Sequence, residues 1–127
     1  MAKSQFDKIN ANIRDRQDRI FRGSFVQLTQ MTFSNSPKRD GFFQASWMAG
    51  IGAPIDEVSS SPSRNPVGTV SAEIKNFKIG MSAYLTNAQP YALFLEFGGS
   101  DQAKFGIVRK YAAQWSQINE KVARSIK

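Results

Sequence analysis

Between Ser4 and Thr32 the apolar residues Phe6, Ile9, Ile13, Ile20, Phe21, Phe25, Leu28 and Met31 return at spacings dominated by three, four and seven. That is the period of one helix face, and it predicts a single long helix whose stripe is a core face. Ser4, with Asp7 three residues later, resembles a capping box at its start. Gly23 and Ser24 interrupt the pattern, and the stripe shifts there from Ile13 and Ile20 to Phe21, Phe25 and Leu28. A bend or a change of packing partner is expected at that point.

The pattern then changes period. Phe33 to Gly41 is turn chemistry, with Ser36-Pro37 and Asp40-Gly41. From Phe42 to Gly52 the residues Phe43, Ala45, Trp47, Ala49 and Ile51 alternate, which predicts a half-buried strand with Trp47 as a core anchor. Ala53 to Pro66 holds Pro54, a serine-rich run and Arg64-Asn65-Pro66. It reads as an exposed, flexible loop over 53–65. Asn65 at the N-cap with Pro66 at the first position predicts a helix through Val70 and Ile74, stopping between Phe77 and Gly80. Met81 to Thr86 reads as a second strand. Pro90 starts a short helical turn that Gly98-Gly99 ends. A terminal helix from about Gly106 to Ile126 has the cleanest stripe: Ile107, Tyr111, Trp115, Ile118, Val122 and Ile126. The order predicts one α+β domain over 1–127: a small antiparallel sheet packed against long N-terminal and C-terminal helices.

Composition narrows the chemistry. The chain has 127 residues, no Cys and no His. Disulfides and thiol catalysis are excluded, and the usual general base near neutral pH is missing. The acids are scattered, and no phosphate-cradling glycine loop or nucleophile elbow appears. No enzyme, cofactor, metal site or catalytic residue is expected. No apolar run approaches the ~20 residues that span a bilayer, so no membrane partner is expected. The net charge is +7, with +5 of it between Lys104 and Lys127 and +3 between Lys3 and Arg22. Two basic helices suit anionic partners, with Lys110, Lys121, Arg124 and Lys127 as candidate contacts to DNA or to an acidic protein. Tyr111 and Trp115 fall on the apolar stripe instead, which argues against a stacking groove for single strands. Glu96 lies among Phe94, Leu95 and Phe97, where a carboxylate is costly unless partnered. It either faces water or pairs with Lys104, Arg109 or a neighbour's cation, and its replacement by Ala is expected to harm assembly more than stability.

Two segments together resemble a family pattern. Ser36-Pro37-Lys38-Arg39-Asp40-Gly41-Phe42-Phe43-Gln44-Ala45-Ser46-Trp47 is similar to one motif. Asn87-Ala88-Gln89-Pro90-Tyr91-Ala92-Leu93-Phe94-Leu95-Glu96-Phe97-Gly98-Gly99-Ser100, followed by Gln102-Ala103-Lys104-Phe105-Gly106-Ile107-Val108-Arg109, is similar to a second. The family is that of tail-completion, or minor-tail and head–tail joining, proteins of tailed bacteriophages. The resemblance covers about Ser36 to Arg109, and departs from the pattern at Lys104, where the family often has Pro. It implies a non-catalytic virion subunit, made in the host bacterial cytoplasm. It implies a homo-oligomeric ring, commonly a hexamer, at the neck around the DNA channel. The partners it implies are a head-closure or connector protein and a tail terminator or tail-tube protein. The residues it assigns to interfaces are Asn87, Pro90, Tyr91, Glu96, Phe97, Gly98, Lys104, Phe105, Gly106 and Arg109. The alternative reading is a nonspecific basic DNA-binding module.

Overall fold

The computed structural model describes residues 4–38, 41–100, 102 and 106–126. Among these are six α-helices and two strands in an α+β arrangement. Helix α1 runs Gln5–Ser34, and Ser4 caps it by accepting the Asp7 N–H at 3.1 Å. A one-turn helix α2 (Phe42–Ala45) leads into strand β1 (Trp47–Ile51). Helix α3 (Pro66–Glu73) ends in a 3₁₀ turn, Ile74–Asn76, and strand β2 follows at Ala83–Asn87. Helices α4 (Ala92–Glu96), α5 (Val108–Ala112) and α6 (Trp115–Ser125) complete the chain.

The strands pair antiparallel, with Ala49 opposite Leu85. Leu85 is the meeting point of the interior. It packs against Phe25, Val70, Ile74 and Phe77 on one side, Phe43, Trp47 and Ile107 on another, and Leu28, Tyr111 and Ile118 on a third. The two-stranded sheet is therefore covered by α3, by α1 and by the terminal helices. Asn65 caps α3 by accepting the Val67 N–H at 3.0 Å, and Pro66 occupies the first turn, as its sequence predicts.

Helix α1 runs on through Gly23, and of the bend and the change of packing partner expected there, α6 supplies the new partner: a Cβ at Gly23 would lie 2.9 Å from Val122 Cγ1. Three expectations are corrected. The alternation from Phe43 begins in a helical turn, because the Ser46 hydroxyl donates to the Phe42 carbonyl at 2.7 Å and holds the turn closed before β1. The terminal helix starts at Val108 and bends at Ala113–Gln114, where Gln114 N–H reaches back only three residues to Tyr111. That bend sets Trp115 edge-on to Phe21, with ring centroids 5.5 Å apart. Finally, the first half of the α1 stripe is not core. Phe6, Ile9 and Ile13 are 69%, 49% and 50% exposed, and burial on α1 begins at Asp18. The first turns of α1 run past the rest of the domain, and contact has resumed by Arg16, whose Nη2 donates to the Ala123 carbonyl at 3.1 Å.

The 53–65 segment has no regular structure, yet three points tie it down. Thr86 Oγ1 donates to the Ile55 carbonyl at 2.9 Å, and the buried Ser59 N–H donates to Ser46 Oγ at 3.0 Å. The Arg64 guanidinium donates to the carbonyls of Ala45 at 2.6 Å and Trp47 at 2.8 Å. Among the described residues no helix is long and apolar enough to cross a membrane.

Candidate interaction site

The strand–turn–helix unit from Asn87 to Arg109 is built from the backbone outward. Asn87 Nδ2 donates to the Phe43 carbonyl at 2.8 Å, while Asn87 Oδ1 accepts the Gln89 N–H at 3.2 Å. Gln89 Nε2 donates to Ser46 Oγ at 3.0 Å. Trp47 Nε1 donates to Ser36 Oγ at 2.8 Å, and Trp47 meets Phe43 edge-on at 5.8 Å. The two segments singled out in the sequence, Ser36–Trp47 and Asn87–Ser100, are thus knitted together through side-chain amides and hydroxyls. Tyr91 lies 6.0 Å from Phe43, ring to ring.

Helix α4 then ends in a Schellman closure. Gly98 N–H donates to the Leu95 carbonyl at 3.2 Å and Gly99 N–H to the Phe94 carbonyl at 2.9 Å, with Gly98 at φ 92°. This satisfies the last carbonyls of a helix too short to hold itself.

Glu96 sits at the end of α4 with its side chain only 12% exposed. Oε2 accepts the Ile107 N–H at 2.9 Å and Oε1 accepts the Val108 N–H at 2.8 Å. Arg109 Nε donates to Oε2 at 3.0 Å, and Arg109 Nη2 donates to the Glu96 carbonyl at 3.0 Å. The carboxylate therefore caps the start of α5 and ties it to α4, complementing the helix dipole. Burial pushes its pKa up. The Ile107 N–H, the Arg109 guanidinium and the Val108 N–H together outweigh that and hold it below the ordinary value. Gly106 makes the geometry possible. It sits at φ 104°, and a Cβ there would lie 2.8 Å from Glu96 Oε2. Of the partners the sequence allowed for Glu96, its own Arg109 holds it, while Lys104 lies outside the described residues.

The consequence is an exposed apolar ledge on a rigid base. Helix α4 has no buried residue. Leu93, Phe94 and Phe97 are 73%, 65% and 67% exposed, and Tyr91 is 40% exposed. The Arg109 guanidinium lies 4.2 Å above the Phe97 ring, so the cation that grips Glu96 also orients the ledge. Beside it, a groove of about 720 Å³ separates Phe94 from Pro37 and Lys38. The groove is bridged where Gln102 Oε1 accepts the Lys38 N–H at 2.9 Å.

Asn87, Glu96, Gly98, Gly106 and Arg109 thus converge as scaffold, while Tyr91 and Phe97 face outward and Pro90 lies in the exposed turn. Lys104, Phe105 and Lys127 lie outside the described residues. Lys110 sits 5.4 Å over the Tyr111 ring, Arg124 is paired with Glu120 at 2.7 Å, and Lys121 is exposed on α6. Sequence reasoning did not single out Ser46, Arg64 or the free half of α1. Ser46 and Arg64 act through backbone groups distant in sequence, which no local pattern marks. Among the described residues no group of three or more acidic, Cys or His side chains is arranged to hold a metal ion. Comparison with protein-family profiles, with characterised proteins and with solved structures finds no match to this chain.

Proposed function

We propose that this chain is a non-catalytic virion structural protein. It is a tail-completion or head–tail connecting subunit that assembles as a ring, of six copies by the family resemblance, at the neck of a tailed bacteriophage. The observation that carries this reading is the ledge of Leu93, Phe94 and Phe97. Large side chains left this exposed mark an interaction surface. A surface braced by a buried carboxylate, a Schellman closure and a guanidinium is preorganised for docking. Glycines and aromatics at an assembly contact suit a ring, whose head-to-tail interface needs anchors that the free subunit leaves uncovered. In this role the ledge meets a neighbouring copy or a connector or tail protein, and DNA passes through the channel without being read in sequence.

Native mass measurement of the free protein, together with its detection in purified particles, tests the reading. Oligomers of one discrete size, and presence in particles at a fixed stoichiometry, are expected. A monomer at concentrations of about 100 μM that is also missing from particles would overturn it.

A further inference from the structure

We infer that the exposed half of α1 is the second half of the ring contact: the ledge of one copy docks on the Phe6–Ile9–Ile13 stripe of the next. This rests on the ring reading above and names the surfaces that meet. Helix α6 runs antiparallel along α1. Leu28 packs in one cluster with Ile118, Gly23 abuts Val122, and Arg16 Nη2 donates to the Ala123 carbonyl at 3.1 Å. Going backwards along α1 from Gly23, the same side of the helix carries Arg16, Ile13, Ile9 and Phe6, at steps of seven, three, four and three. Helix α6 ends at Ser125, so the seam it began to cover runs on uncovered. The stripe is thus the continuation of an interface the fold already makes.

The ledge is a helical element of matching form. Leu93 and Phe97 are four residues apart, and Phe94 and Phe97 three apart, so all three project as one knob from α4. The six side chains of stripe and knob together expose roughly 700 Å² of surface, taken at about 200 Å² per large side chain. That is more than half of the ~1,200 Å² at which specific interfaces begin. Asn10, Asn12 and Gln17 flank the stripe without charge, and Arg16, the cation on its side, is turned back to the Ala123 carbonyl. Stripe and knob are different surfaces on each copy, so repeating the contact head-to-tail builds a ring where the rotation closes.

The absence of cysteine makes the test direct. Ile13→Cys and Leu93→Cys variants are oxidised mildly, each alone, mixed, and combined in one chain. A disulfide-linked dimer only in the mixture, and a ladder of linked species from the doubly substituted chain, are expected. Linking of Ile13→Cys alone would mean that arms pair with arms, and linking of Leu93→Cys alone that ledges pair with ledges; either overturns the inference. Discrete oligomers without any mixed link would overturn it too, while leaving the ring reading intact. A protein that stays monomeric and is absent from particles would take both down. As a second measurement, Phe6→Asp and Phe94→Asp are each expected to weaken self-association at least 100-fold. Both positions are exposed, so thermal unfolding of the monomer should stay unchanged. Unchanged self-association in either variant would overturn the inference.

Discussion

Glu96 holds two backbone N–H groups and a guanidinium with one carboxylate, so its loss leaves several groups unpaired at once. Glu96→Ala is expected to cost about 2–3 kcal/mol of stability. In a domain of this size that is a fall of roughly 10 °C in melting temperature by calorimetry. Because the carboxylate is engaged inside the chain, this stability cost stands beside the larger harm to assembly expected from the sequence. Its folded pKa is depressed. Its contribution is therefore complete above the ordinary glutamate pKa of about 4.3 and is lost as pH falls through the lower folded value. The stability gap between the wild type and Glu96→Gln, followed by urea unfolding from neutral pH downward, should narrow only below about pH 4. A gap that stays constant to low pH would contradict the pairing. Gly106→Ala places a methyl against Glu96 Oε2 in a left-handed conformation. It should cost about 1–3 kcal/mol by the same measurement. That Glu96 needed a partner was legible from its apolar neighbours. Which partner it has was not, because the two backbone donors lie 11 and 12 residues away across a loop.

At the scale of elements, periodicity located α1 and both strands, but it read α5 and α6 as one helix and missed the α2 turn before β1. The caps at Ser4 and Asn65 were read from local residue types whose chemistry acts within two or three positions. Periodicity misplaced the role of the α1 stripe, because a stripe encodes a face to be covered and not what covers it. It also gave no account of the 53–65 segment, whose tethers come from Ser46, Thr86 and Arg64. Arg64→Ala removes two bonds to the carbonyls around β1. It should make the segment a preferred site of limited proteolysis in the free subunit, with cleavage at least several-fold faster than in the wild type. Equal cleavage rates would show that Arg64 does not hold the loop.

For the whole molecule, charge and apolar surface point to different partners. Of the candidate DNA contacts on the terminal helices, Lys110 lies over Tyr111 and Arg124 is paired with Glu120. That leaves Lys121 and Lys127, about two phosphates, so duplex binding through these contacts should show a slope of log K against log salt no steeper than about −2. A slope nearer −6 would favour the DNA-binding reading over the structural one. The ledge and the free half of α1 carry large exposed apolar side chains instead.

Spacing and cap chemistry were enough for the main elements and the α+β class, since these depend on residues within a turn or two of one another, and composition alone excluded thiol and imidazole chemistry. Tertiary structure decided that Leu85 joins three clusters, that Glu96 closes on Arg109 and that Gly23 serves a helix crossing. It also decided that Phe6, Ile9 and Ile13 stay uncovered. Each of these depends on where one element ends relative to another, a distance in space that no spacing along the chain records.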